Sequence, residues 1–217
     1  MASPDTGKRD IRLTAGLVVL LAGIFVAGFF WATTRERTLS PQELQAEGAL
    51  LFEAARKLPE FSLRDDTGAA VSPSWFEGHW NIVFFGYTFC PDICPTTLAL
   101  LRQYYTALPP EQRADTRIVL ATVDPARDSV EQLSQYLGFF HADFRGLTGE
   151  FLEVHRLATS LGSPFTKVPN SGENYLVDHS GNLALVNPAG HFVGIVKTPV
   201  TVEQLERIMP TFRAKRG

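Results

Sequence analysis

Cys90 and Cys94 are the two cysteines of a 217-residue chain, and they stand with three residues between them in Cys90-Pro91-Asp92-Ile93-Cys94-Pro95. Two thiols are too few to scaffold a chain of this length, so their placement carries the information. They follow the apolar run Asn81 to Tyr87, NIVFFGY, and precede a helical stripe of Leu98, Leu101, Tyr105 and Leu108. Sulfurs placed between the carboxyl end of a strand and the amino end of a helix meet unpaired N–H groups and the positive end of the helix dipole, which favour thiolate over thiol. That chemistry is metal binding or redox exchange. Copper(I) is soft and prefers thiolates, and an added imidazole suits such a site to copper(II) as well. A structural disulfide or two buried thiols stay open as the plain reading. Against them, a bridge across so short a loop adds little entropic stabilisation, and Pro91, Asp92 and Pro95 fix the loop as if to present the sulfurs. Two cysteines do not name the metal.

The elements around the pair indicate an α/β domain. NIVFFGY reads as a strand buried on both faces, and Arg117 to Val123, RIVLATV, as a second. Between them Pro95 marks a helix start and Pro109-Pro110 its end. Helices are expected over Ser129 to about Phe140, Glu150 to Leu161 and from Thr201, with strands at Tyr175 to Asp178, Leu183 to Asn187 and Phe192 to Val196. A small hairpin is expected where Phe61-Ser62-Leu63 meets the turn Asp66-Thr67-Gly68. The compact domain is set at 58–217. Residues 34–57 follow a Ser40-Pro41 start signal with apolar Leu44, Leu50, Leu51 and Ala54 near helical spacing, which predicts a helical spacer.

Residues 13–33 open with LTAGLVVLLAGIFVAGFFWA, an uncharged run long enough to cross a hydrocarbon core about 30 Å thick. Its length and its Phe-Phe-Trp ending favour an uncleaved transmembrane anchor in membrane lipid over a removed signal peptide. Lys8, Arg9 and Arg12 precede it and Arg35 and Arg37 follow, a small bias toward a cytoplasmic N-terminus over 1–12 and a globular domain outside the cytoplasm. That outside is the periplasm of a bacterium or the intermembrane space of a mitochondrion. A net charge of -3 gives none of the basic excess that nucleic-acid binding requires.

With Phe85-Gly86-Tyr87-Thr88-Phe89 before it, the cysteine motif resembles that of the Sco (SenC) family, copper proteins that serve assembly of cytochrome c oxidase. The resemblance continues through Thr122-Val123-Asp124-Pro125-x-Arg127-Asp128, Gly146-Leu147-Thr148-Gly149, Tyr175-x-Val177-Asp178-His179-Ser180 and Asn187-Pro188-x-Gly190. It covers nearly all of residues 58–210. It implies a thioredoxin-like fold with inserted elements and a copper ion, Cu(I) or Cu(II), held by Cys90, Cys94 and His179. His179 rests on this motif context, because a single loop histidine is more often structural. His79, His141, His155 and His191 stand beside helix or strand ends without a matching motif and read as structural. Asp178 reads equally as a group orienting His179 or as a solvated aspartate. Asp124, Arg127 and Asp128 look functional by resemblance, although Asp-Pro with Arg and Asp close behind makes a self-satisfied turn and ion pair, the reading preferred here.

The resemblance implies a metallochaperone that passes copper to the dinuclear centre of cytochrome c oxidase subunit II, served by a copper donor and a thiol reductase. No catalytic residue is assigned on that reading. The alternative is an enzyme, a thiol-disulfide oxidoreductase that reduces the cysteine ligands of that centre with Cys90 and Cys94 as the redox-active pair. A peroxidase on the same fold lacks a peroxide-binding loop. The spacing favours metal, since thioredoxin-type reductases usually carry two residues between their cysteines.

Overall fold

The computed structural model describes residues 6–34, 38–169 and 175–215, with side chains over 14–30, 38–169 and 175–215. It divides into two units, residues 1–37 and 38–217. In the first, the apolar run lies in one helix, α1 (Thr6–Thr34). Its large apolar side chains from Leu17 to Phe30 are exposed. Among the described residues no helix is long and apolar enough to cross a membrane. The expected anchor over 13–33 runs past the described side chains at both ends, and Lys8, Arg9, Arg12, Arg35 and Arg37 lie outside them.

The second unit begins at Thr38, ahead of the expected boundary at 58. Where the sequence predicts a helical spacer over 34–57, the chain forms a short helix, α2 (Pro41–Ala46), and then a strand, β1 (Ala49–Lys57). Ser40 caps α2, accepting from the Glu43 N–H while Glu43 returns its carboxylate to the Ser40 N–H. Gly48, at a φ of 71°, then turns the chain out of the helix, a conformation that glycine adopts without penalty. Beyond it the backbone pairs with a neighbouring strand, and that long-range hydrogen bonding overrides the helix-like spacing of Leu50, Leu51 and Ala54.

The remaining strands are β2 (Leu63–Asp65), β3 (Ala70–Val71), β4 (Trp80–Gly86), β5 (Thr116–Thr122), β6 (Arg145–Thr148), β7 (Phe165–Lys167), β8 (Val177–His179), β9 (Leu183–Val186) and β10 (His191–Val196). The helices are α3 (Ile93–Ala107), α4 (Pro110–Ala114), α5 (Val130–Gly138), α6 (Phe151–Ser160) and α7 (Val202–Ala214). Eight strands form one sheet in the order β1-β10-β9-β4-β5-β6-β2-β3. β4 and β5 run parallel from Trp80 opposite Thr116 to Gly86 opposite Thr122, with α3 and α4 in the crossover between them. β9 lies antiparallel on the other side of β4, and β10 pairs antiparallel with β9. This β4-α3-β5 and β9-β10-α7 arrangement is thioredoxin-like. The expected hairpin is present as β2 and β3, with Leu63 opposite Val71.

Every residue of β4 is buried, and Ile82, Val83, Phe84 and Phe85 have no exposed surface. A strand buried on both faces at the sheet centre therefore delivers the chain to the cysteine loop. β7 has no counterpart among the expected strands. It pairs with β8 alone, as a separate two-stranded sheet.

Candidate metal centre

α3 begins at Ile93, two residues ahead of Pro95, so Cys94 lies in its first turn and Cys90 in the loop before it. Asp92 precedes the helix without capping it through its side chain. The freed N–H groups turn to sulfur instead, and those of Asp92 and Cys94 donate to Cys90. Cys94 is buried, while Cys90 is partly open to solvent.

The two sulfurs differ in charge. The Cys94 thiol donates to Cys90, and this bond, more than any other contact, pulls Cys90 down to about 3; burial opposes the shift, and contacts with His179 and the two backbone N–H groups add to it. Cys94 moves in the opposite direction, held protonated by that same bond and by burial. The pair thus keeps one proton, on the inner sulfur. Gly86, the last residue of β4, makes room for it: a Cβ there would lie 2.7 Å from Cys94 Sγ.

His179 ends β8 and brings Nε2 to 3.6 Å from Cys94 Sγ. Its Nδ1 lies 3.2 Å from the Ser180 carbonyl, which can only accept, so Nδ1 carries a proton and Nε2 is the ring nitrogen that faces the sulfurs. Asp178 is exposed on the same strand, and Ser180 occupies the place that an orienting carboxylate would take. Phe84 and Tyr87 present their rings edge-to-face to the imidazole at centroid distances of 6.0 and 5.7 Å. The donor atoms of Cys90, Cys94 and His179 all lie within 4.8 Å of one another. Among the described residues this is the group of side chains spaced to share a metal ion. Two sulfurs and one imidazole nitrogen, with a cavity of about 380 Å³ opening above Cys90 and His179, suit a soft or borderline ion held by three donors.

Three of the other four histidines have side-chain partners elsewhere, and His191 opens β10. His79 accepts from Arg117 at 3.0 Å, His141 packs on Tyr105 and Phe144, and His155 stacks on Phe151.

The turn after β5 contains the expected ion pair of Asp124 with Arg127. Asp128 does more than complete the turn. It has no exposed surface, and it accepts from the Thr88 N–H at 3.1 Å, the Thr88 hydroxyl at 2.7 Å and the Thr122 hydroxyl at 2.6 Å. Burial pushes its carboxyl up, against the pull of those bonds. Through Thr88 it pins the chain two residues before Cys90. Gly86, Thr88, Thr122, Asp128 and Ser180 all fall within the motifs that carry the resemblance, but what each does is a fold contact that no spacing shows.

Residues 51–212 match the family model described as SCO1/SenC. A Stutzerimonas stutzeri protein is 42% identical over 167 residues, 77% of this chain and 82% of that one. The human mitochondrial protein SCO2 homolog is 34% identical over 205 residues, covering 90% of this chain and 76% of the relative. Among solved structures, Arabidopsis thaliana ScoI with copper bound superposes with a TM-score of 0.67 at 33% identity, over 73% of this chain and 99% of that one.

Proposed function

Because the chain belongs to the SCO1/SenC family, we propose that it is a copper metallochaperone whose cargo is held by Cys90, Cys94 and His179 and delivered to the dinuclear copper centre of cytochrome c oxidase subunit II. One observation carries this reading: two cysteine sulfurs and an imidazole nitrogen converge within 4.8 Å of one another on this fold. Cys90 offers a thiolate at the open side of the site, where an arriving copper(I) first meets it. Binding the second sulfur releases the Cys94 proton, and Nε2 of His179 supplies the third donor that copper(II) needs. Cys90 and His179 line the cavity and face the recipient, so the ion leaves by the route it entered. A copper donor and a thiol reductase complete the cycle. α1 serves as an anchor in membrane lipid, a reading supported by its large side chains from Leu17 to Phe30, which are apolar and exposed.

The same asymmetry supports a second reading. An outer thiolate and an inner, protonated thiol are an attacking and a resolving pair, as a thiol-disulfide oxidoreductase requires. The inward-facing imidazole favours copper, because disulfide exchange between two cysteines has no use for a third soft donor.

The test is titration of the reduced full-length chain with copper(I) and with copper(II), followed by absorption spectroscopy. One copper per chain with sulfur-to-copper charge-transfer bands is expected, lost in the Cys90→Ser, Cys94→Ser double variant. His179→Ala should weaken copper(II) more than copper(I), since two thiolates still hold the monovalent ion. Full binding by the double variant refutes the copper reading.

A further inference from the structure

His179 rides on a hairpin that the main sheet does not hold. β7 and β8 pair as strands only with each other among the described residues, and an isolated two-stranded ribbon is marginally stable in water. Pairing within the hairpin, Phe165 opposite His179, fixes the imidazole relative to β7 but not relative to the sulfurs. The tie that does so lies at Arg127, where three segments meet. Its Nε pairs with Asp124, and its Nη2 donates to the Tyr175 carbonyl at 2.9 Å. The flat guanidinium lies over the ring of Tyr175 at 3.7 Å and over that of Phe89 at 4.8 Å. Tyr175 in turn donates its hydroxyl to Asp124 at 2.6 Å, closing the ring of contacts. Phe89 immediately precedes Cys90, and Tyr175 stands two residues before the start of β8. Arg127 therefore joins the approach to the first sulfur with the approach to the imidazole, using faces that its ion pair with Asp124 leaves free.

We infer that Arg127, held by Asp124 and faced by Tyr175, is a positioning residue that clamps the β7–β8 hairpin to the cysteine loop and so sets His179 against the thiols. The inference rests on the copper reading of that site. A planar fork that stacks and hydrogen-bonds at once is the property used, and lysine lacks it. Other contacts hold the hairpin without the clamp: Val177 donates its N–H to the Tyr87 hydroxyl at 3.4 Å, and Phe165 packs edge-on against Phe151. Loss of Arg127 thus loosens the hairpin rather than unfolding the domain. A site made of two thiolates is indifferent to such loosening, whereas a three-donor site depends on it.

The experiment measures copper(I) and copper(II) affinities of the reduced full-length chain for wild type, Arg127→Gln and Arg127→Lys, each with and without His179→Ala, and follows amide hydrogen exchange of the metal-free proteins. Both Arg127 variants should lose about 10- to 100-fold in copper(II) affinity, the range for partners that orient a metal ligand, with copper(I) affinity unchanged. In the His179→Ala background neither variant should lose more. Exchange should quicken at β8 and stay unchanged at β4 and β5. Equal loss for both ions, or a full additional loss on top of His179→Ala, overturns the clamp. If Arg127→Gln does not fold, Tyr175→Phe keeps the stacked ring and the carbonyl but removes the bond to Asp124, and the same pattern is expected at smaller size. A wild-type chain without copper affinity overturns the proposed function, whereas unchanged exchange at β8 in Arg127→Gln overturns the clamp whatever the metal does.

Discussion

The hydrogen bond between Cys94 and Cys90 pushes the first thiol up and the second down, and the sign of the resulting pH dependence follows from the direction of each shift. An unfolded chain carries both thiols protonated below about pH 8.5, whereas the folded chain holds Cys90 ionised down to about 3. Between those values folding releases a proton, so this group's contribution to stability is present above the unfolded value and is lost as pH falls through the folded one. Alkylation of the metal-free reduced protein should modify Cys90 first, at a rate nearly constant from neutrality down to about pH 4, with Cys94 protected by burial and by its proton. A Cys90 rate that climbs with pH through the ordinary thiol range would mean that the inner sulfur does not hold the proton. Gly86 tests the geometry of the same pair. A methyl group at that position would crowd Cys94 Sγ at 2.7 Å and Phe84 at 2.9 Å, so Gly86→Ala should lower thermal stability by the equivalent of about 1–3 kcal/mol, as overpacking does. Copper(I) affinity should fall with it, because the sulfur is the atom that must move.

At the scale of elements, α2 and β1 belong to the domain that binds the metal. β1 covers the outer edge of β10, Phe52 packs edge-to-face on Phe192 at 4.9 Å, and Leu44 is 2% exposed. Removing this segment uncovers a strand edge and the core beneath it; loss of Leu44 burial alone costs about 1.5–3 kcal/mol. A fragment of residues 38–217 should unfold cooperatively, while one of residues 58–217 should melt at a distinctly lower temperature or aggregate; equal melting temperatures would show β1 to be dispensable. The sequence pattern led elsewhere at this segment because Leu50, Leu51 and Ala54 repeat at helical spacing, and only the free edge of β10, far along the chain, makes a strand of them. β4 and β5 were legible for the opposite reason: continuous apolar runs buried on both faces carry their own signal. β8 overlaps the strand expected over Tyr175 to Asp178, but β7 has three residues, too few to show a period, so its pairing into the hairpin that carries His179 was hidden. The cysteine pair was legible in spacing and helix position. The Arg127 contacts that join the two were not, because Arg127 and aromatic faces from two distant segments meet only in the fold.

At the scale of the whole molecule, the chain pairs the helix proposed as an anchor with a domain that carries two thiols. The large side chains of α1 from Leu17 to Phe30 are apolar and exposed, and such a helix lowers its free energy by entering hydrocarbon. Every donor atom of the candidate centre belongs to the unit that begins at Thr38. Deleting residues 1–37 should therefore move the protein from the membrane fraction to the soluble one while leaving its copper affinity unchanged. The proposed orientation draws on the thiols as well as on the flanking charges. Outside the cytoplasm no glutathione or thioredoxin pool keeps Cys90 and Cys94 reduced, which is the setting in which a dedicated reductase becomes necessary and in which an exported copper centre is assembled. A reporter that matures only outside the cytoplasm, fused after Gly217, should be active, and its counterpart that works only inside should be silent. The reverse pattern would put the copper domain on the wrong side of the membrane to meet the proposed recipient, and the delivery role would fail even if copper binding itself survived.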